Sequence, residues 1–257
     1  MLLIDKYAYL NKLASVHPLE KMIFSLGLLL ITLIMRDERL SLITFFVMSA
    51  FIILGAKIPL AYYGKLLLLP SFFLLTSLVS ILLSFTSSTN TLPAHIWSFT
   101  FRNWTVFIGN ASVLAAQQLF FIVLGSISCL YFLILTTSVQ GICYVLRQWR
   151  LPSLLVELVE LTYRFIFMFL ESMQNIHLAQ QARLGYHSPM QWLRSVSMLI
   201  VALFVEMFQR SRELNNAIQS RGGEAVYWQE MGSYSKKNWL GMAAILLVLI
   251  VYGGYFT

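Results

Sequence analysis

Two arginines stand out by their position. Arg183 lies in Ala182-Arg183-Leu184-Gly185 and Arg221 in Ser220-Arg221-Gly222, each at the close of a long stretch with helical periodicity. A glycine just past a helix end can take the left-handed cap conformation. A cation in the last turn also suits the negative end of the helix dipole. That chemistry alone finishes a helix. Two such ends on consecutive helices allow more, because a guanidinium stays charged at any working pH and its flat fork pairs with a carboxylate twice. Such a pair is suited to plug acidic grooves on a soluble partner.

Other chemistry-bearing residues form weaker patterns. Glu157, Glu160, Arg164 and Glu171 follow spacings of three, four and seven, which sets them along one stripe of a helix. A catalytic acid cluster is one reading. The simpler one is the polar side of a helix at a membrane boundary, with Glu160 and Arg164 as an i,i+4 pair in the favourable order. Glu206, Arg210, Glu213, Ala217 and Arg221 make a second stripe. His17, His95, His177 and His187 are scattered, and none pairs at i,i+4 with another His or Cys. They read as surface or capping residues, His187 as a cap between two helix ends, and no metal site is expected. Gly64-Lys65 is followed by Leu66, and position 59 is Pro, so no phosphate-binding loop is present. Any nucleotide must be hydrolysed elsewhere, and no cofactor is expected. Met168, Met173, Met198 and Met207 read either as adaptable surfaces for sliding contacts or as simple lipid and core packing, and Gly253 and Gly254 read as packing residues.

The elements that carry these residues are those of a membrane protein. The chain is 58% hydrophobic and 11% charged, with a mean hydropathy of +0.74. Soluble domains carry about 25% charged residues, so too little polar surface is available to cover a water-soluble globule. Five segments are apolar enough to span: 22–35, 40–56, 66–84, one within 111–139, and 239–256. The first is short against the roughly 17–25 residues a bilayer demands and must borrow from its flanks. Pro70 falls in the first turn of the third, where a missing N–H costs little. Residues 1–21 mix Asp5, Lys6, Lys12, Glu20 and Lys21 with apolar residues and do not read as a cleavable signal. Cys129 and Cys143 read as small buried hydrophobes, not a disulfide.

The formal charge of +7 is a statement about topology before it is one about nucleic acid, and no nucleic-acid partner is expected. With the N-terminus cytoplasmic, all of the lysines and arginines except Arg36, Arg39 and Arg102 belong to cytoplasmic or cytoplasm-linked segments. The opposite orientation reverses that bias. The loop at 85–110 is then external, rich in Ser, Thr and Asn, with Trp97 and Trp104 suited to the interface and a composition that admits a short hairpin.

Residues 150–222 break the spanning pattern. One helix begins at Leu151-Pro152-Ser153 and runs to about Leu184. A second has Ser188 as N-cap and Pro189 at its first position. Its uninterrupted apolar run, 196–205, is too short to span and suits an interfacial or internally packed segment.

The chain resembles the T component of energy-coupling factor transporters, in particular the CbiQ branch associated with cobalt or nickel uptake. The resemblance rests on four stretches. These are IDKYAYLNKLASVHPLEK at 4–21, LRQWRLPSLLVELVELTYRF at 146–165, and the two arginine motifs QQARLGY at 180–186 and AIQSRGG at 217–223. The family pattern at each arginine is Ala-Arg-Gly or close to it. The second site fits as Ser220-Arg221-Gly222, while the glycine of the first comes one place late.

The resemblance implies an all-α integral membrane protein with about five transmembrane helices plus long amphipathic cytoplasmic coupling helices. It implies a single membrane domain over 1–257, with the coupling region at 138–237. It further implies a multi-pass protein of a prokaryotic cytoplasmic membrane and no catalytic role. The implied partners are a pair of ABC-type ATPase subunits, CbiO-like, which bind the ends of the coupling helices. A CbiM-like substrate-binding membrane subunit and a small CbiN-like accessory complete the set. Ala182, Arg183, Leu184, Gly185, Ser220, Arg221 and Gly222 would carry the ATPase contact, supported by the stripe of Glu157, Glu160, Arg164, Glu171, Glu206, Arg210 and Glu213. The cargo would be a divalent cobalt or nickel ion held by the separate subunit, or alternatively a vitamin-type substrate. A self-contained permease needs polar residues at mid-depth in broken spans, for which Gln117, Gln118 and Ser126 are the best on offer. An intramembrane enzyme needs convergent Ser/His/Asp or His/Glu groups inside the spans, and these are missing.

Overall fold

A computed structural model describes residues 3–86, 95–101, 104–222 and 236–256. The chain is an integral membrane protein whose membrane bundle is all-α, with one small sheet between two of its helices. It divides into two units, one of residues 2–142 with 232–257 and the other of residues 143–231. The sequence reading set the corresponding limits at 138–237.

In the first unit, α1 (Leu3–Leu10) and a short 3-10 turn lead into α2 (Pro18–Met35), α3 (Glu38–Ala50) and α4 (Leu60–Leu82). Next come strands β1 (Ser84–Thr86), β2 (His95–Phe101) and β3 (Trp104–Gly109), then α5 (Asn110–Thr136), and finally α9 (Lys236–Phe256) after the second unit. The strands form an antiparallel sheet of order β1-β3-β2, so the loop expected at 85–110 carries a hairpin and one strand more. The side chains of Trp97 and Trp104 lie outside the described residues, as do Arg102 and Gly223.

The first span does borrow from its flank. α2 starts at Pro18, four residues earlier than its apolar run, and so takes Glu20 and Lys21 into the bundle. Both are buried. Lys21 Nζ donates to Thr136 O at 2.8 Å, at the C-terminal end of α5, where the helix dipole favours a cation. Asn238 Nδ2 donates to Glu20 Oε2 at 3.4 Å. Asn11 adds a donor to Leu135 O at 3.2 Å. The charged N-terminal stretch thus fastens the start of the chain to α5.

His17 caps α2, its Nδ1 accepting from the Leu19 amide at 3.2 Å. That role needs an unprotonated Nδ1. Burial pushes the imidazole below its ordinary value of 6.5, Glu20 raises it and Lys21 lowers it further. The unfolded chain therefore takes up this proton first as pH falls, and the bundle loses stability on going below the ordinary value. Thermal unfolding in detergent at about pH 7.5 and about pH 5.5 should show this loss. His17→Asn, which caps without titrating, should show a flatter dependence.

The core sits where α5 packs on α2, α3 and α4. Phe24, Phe51 and Phe132 meet edge to face, with centroids 5.5, 6.0 and 6.3 Å apart, over Leu28, Met48, Ile52 and Leu135. Ser25 Oγ donates to Cys129 O at 2.7 Å and ties α2 to α5. Cys129 and Cys143 are both buried and free. α3 continues into a π-helical turn, Phe51–Gly55.

One expectation is corrected in α4. The helix starts at Leu60, so Pro70 lies inside it and not in its first turn. An internal proline leaves the carbonyl four residues back without its helical donor. Here Leu66 O accepts instead from Tyr131 Oη of α5 at 2.9 Å. A neighbouring helix thereby satisfies the freed group, as a chain in lipid requires.

The second unit holds α7 (Ser153–Ala182) and α8 (Pro189–Ser220). A connecting helix, α6 (Val139–Gln148), has residues on both sides of the division. α8 differs from its expectation in one respect. The uninterrupted run 196–205 is too short to span, yet an 18-residue window of α8 that tolerates the flanking charges reaches a mean hydropathy of 1.4. It joins α2, α3 with its π turn, α4 and α5 as the helices long and apolar enough to cross a bilayer. It is the least apolar of the five, and the apolar part of α9 is shorter, Asn238–Gly253.

Candidate functional site

α7 and α8 form an antiparallel hairpin. Ser172 Oγ donates to Glu206 Oε1 at 2.7 Å, and Gln180 Nε2 to Ser195 O at 3.0 Å. Leu154, Leu158 and Leu161 line a groove with Ile218 from the far end of α8. The paired residue numbers rise on one helix as they fall on the other. Arg183 ends α7, and Arg221 ends α8, so the two arginines stand at opposite ends of the hairpin. α8 has 32 residues, which at about 1.5 Å per residue makes a rod of about 48 Å between the tips.

Both arginines occupy the same place in their helices. Arg183 is the C-cap of α7 with φ −92° and ψ 15°, and Arg221 is the C-cap of α8 with φ −96° and ψ 12°. Both are exposed. Ala182 and Ser220 are the last helical residues, and Ser220 Oγ donates back to Ala217 O. After Arg221 the chain turns through Gly222 at φ 90°, its amide bonded to Gln219 O at 3.1 Å.

After Arg183 the expectation fails in an instructive way. The left-handed position belongs to Leu184, at φ 55°, and not to Gly185. The Leu184 amide reaches Gln181 O at 3.0 Å and the Gly185 amide reaches Gln180 O at 2.9 Å, which is the paired closure of a Schellman cap. That closure places the left-handed residue directly after the C-cap, whatever its side chain. Gly185 is small for a different reason. A Cβ there would stand 2.7 Å from Ser195 Oγ and 3.0 Å from Gln180 O.

The tip at Arg183 is braced by bonds that helical spacing does not show, His177 and the motif residues Gln180 and Tyr186 among their partners. Tyr186 Oη donates to Gln180 Oε1 at 2.6 Å and lies 2.9 Å from His177 Nδ1. Ser195 Oγ donates to Gly185 O at 2.7 Å. These bonds tie the turn to both helices. Their only trace in the sequence is a set of polar residues on the inner side of the motif. The cap of α8 is Ser188, whose Oγ accepts from the Gln191 amide at 3.3 Å. His187 contributes a backbone bond to Leu184 O.

The polar stripe splits into parts. Glu160 pairs with Arg147 at 3.0 Å, a partner the helical spacing could not show. Glu157, Glu160 and Arg164 rim the Leu154–Leu161 groove. Beside this pair, burial pushes the Cys143 thiol above its ordinary value, and Glu160 adds to the effect. Glu206 and Arg210 form an i,i+4 pair at 3.2 Å, and Glu206 is also the carboxylate that fastens α8 to Ser172 of α7. Glu171 and Glu213 are exposed. Among the described residues, no three His, Cys, Asp or Glu side chains converge as a metal site would require.

Ser172→Ala should remove a bond to a charged acceptor from a buried donor, worth roughly 1.5–3 kcal/mol. A lower unfolding temperature, restored when Ser172 is replaced by Thr, is the expected reading.

The apolar faces of this hairpin are largely uncovered. Val156 and Ser172 are the buried residues of α7 and Leu203 that of α8. Leu154, Leu158, Leu178, Ile200, Val201 and Phe204 are all exposed. Such a surface on stiff helices belongs against lipid or another chain.

The family described as CbiQ, cobalt transport protein, matches residues 11–233. The chain is 28% identical over 254 residues to the uncharacterized protein MJ1089 of Methanocaldococcus jannaschii, covering 97% of this chain and 92% of that protein. It is 29% identical over 222 residues to the cobalt transport protein CbiQ of Rhodobacter capsulatus, covering 85% and 83%. A putative fused cobalt transport protein, CbiMQ, of Methanocorpusculum labreanum matches 98% of this chain at 29% identity. The chain spans 41% of that relative's length.

Proposed function

Since the chain belongs to the CbiQ family of cobalt transport proteins and is a multi-pass membrane component of transport, we propose that it is the coupling subunit of an energy-coupling factor importer. The observation that carries this reading is the matched geometry of the two tips. Arg183 and Arg221 each close a long helix as its exposed C-cap, each is followed by a left-handed residue, and the two stand about 48 Å apart. Each tip offers one forked cation to an acidic groove, and two such grooves are what a pair of ABC-type ATPase subunits presents.

Opposite ends of one hairpin reach the same compartment only if the hairpin lies along the membrane surface. We place it at the cytoplasmic face of a prokaryotic cytoplasmic membrane, with the N-terminus inside, in keeping with the distribution of lysine and arginine. ATP binding draws the ATPase subunits together, and the rods carry that movement into the membrane. Force transmission needs stiffness. The Ser172–Glu206 and Gln180–Ser195 bonds supply it along the hairpin.

The uncovered apolar faces of α7 and α8 are the surface for a membrane-embedded substrate subunit. The fused CbiMQ relative supports a CbiM-like partner in that place, and a small CbiN-like accessory is compatible with it. The cargo is a divalent cobalt or nickel ion held by that subunit, and this chain performs no catalysis. Reconstitution tests the proposal. Vesicles holding this chain, the ATPase pair and the substrate subunit should take up cobalt only with ATP. Equal uptake without this chain, or by this chain alone, would sink it.

A further inference from the structure

Leu184 is held where leucine does not belong. Four non-glycine residues among those described have positive φ: Arg36, Lys57, Arg150 and Leu184. Three are basic, and Leu184 is the apolar one. Its Cβ crowds the following carbonyl in this conformation, a clash that glycine escapes. In a Schellman closure the customary apolar contact joins the residue two places past the C-cap, here Gly185, to the residue three places inside the helix end. Here that residue is Gln180, a polar side chain already bonded to Ser195 O and Tyr186 Oη. Leu184 keeps 71% of its surface exposed. No packing within the hairpin accounts for a strained leucine at this point. At the other tip, Gly222 holds the equivalent position with open space around it. The backbone geometry of the two tips is matched, and the side chain after the arginine is what differs.

We propose that Leu184 is an apolar anchor that enters a pocket beside the acidic groove receiving Arg183, so that this tip binds its ATPase subunit more tightly than the Arg221 tip binds its own. The inference rests on the coupling reading above. The occupant is the soluble partner and not lipid, because Leu184 follows the arginine directly in a braced turn. Whatever receives the guanidinium therefore meets the leucine. Strained backbone retained at an exposed contact residue is the pattern of a functional site.

The test uses the full chain in nanodiscs titrated with its cognate ATPase pair, comparing the wild type with Arg183→Glu, Leu184→Asn and Leu184→Gly. Asparagine tolerates the left-handed conformation, and glycine favours it, so both keep the turn while removing the apolar side chain. Both should bind about 10- to 100-fold more weakly, as expected for losing one buried leucine. Leu184→Gly should at the same time unfold roughly 2–4 °C higher, because the strain is relieved. If Arg183→Glu binds as the wild type does, the coupling reading itself fails. If Arg183→Glu breaks binding while both Leu184 variants bind normally, the coupling reading stands and the anchor is overturned. Normal ATPase binding with a loss of insertion into vesicles of anionic phospholipid would overturn it equally, assigning Leu184 to the bilayer.

Discussion

Charge reversal at both tips, Arg183→Glu with Arg221→Glu, is expected to leave the membrane bundle folded and to release the ATPase pair. Both arginines are exposed, and among the described residues neither forms an ion pair. Reversal therefore breaks little inside the chain. Removing one partner of a buried, hydrogen-bonded charge pair at an interface costs roughly 2–5 kcal/mol, and a reversed charge adds repulsion. Because the tips lie at opposite ends of a rod of about 48 Å, the two losses should add. Each single reversal should weaken capture of the ATPase, and the double should abolish it. Pull-down from solubilised membranes, with circular dichroism to verify the helical content, checks both halves. Undiminished capture by the double variant would contradict the assignment.

Gly125→Leu should have the largest effect on stability. Gly125 sits where α5 crosses α3, and a Cβ there would stand 2.9 Å from Ser41 O and 3.5 Å from Ser41 Cα. The obstruction is backbone and cannot swing aside. Small residues let helices approach closely in membranes, where packing and not the hydrophobic effect holds them together. Over-packing a tight contact of this kind costs about 1–3 kcal/mol, and more where backbone must shift. α5 is the helix on which α1, α2, α3 and α4 all pack, so the expected outcome is loss of the folded protein from the membrane fraction. Gly64→Leu is the natural control. Nothing lies within 4 Å of a Cβ at that position, and the variant should accumulate normally. Equal thermal stability of the two variants would show that the α3–α5 crossing is looser than described.

What the sequence disclosed and what it withheld divide along the range of the interactions. Local chemistry was readable. Ser188 and Pro189 do start α8, and the arginines do stand at helix ends, because capping depends on a few adjacent residues. The membrane class followed from composition alone. What escaped depends on distant partners. Lys21 stands in the sequence as one charge of a mixed N-terminal stretch, and its acceptor Thr136 O is 115 residues away. Pro70 falls in a first turn only if α4 begins with its most apolar stretch, and the helix begins six residues before Leu66, at Leu60. The compensating Tyr131 belongs to another helix. Glu160 takes Arg147 from before the Pro152 break. Leu184 was hidden behind the habit of assigning left-handed residues to glycine, although the closure of the cap decides the position first. For α8, a count of uninterrupted apolar residues and a window that tolerates two charges give opposite answers, so hydropathy alone does not say whether it crosses the bilayer.

That last ambiguity bears directly on the central claim. Single cysteines at positions 183 and 221, in a chain whose native Cys129 and Cys143 are replaced by Ala, can be labelled with a membrane-impermeant maleimide in sealed vesicles of either orientation. A hairpin lying along the inner face predicts that both positions label only from the cytoplasmic side. Labelling of either position from the external side would mean that α8 crosses the membrane, and the two tips could not then hold one cytoplasmic motor.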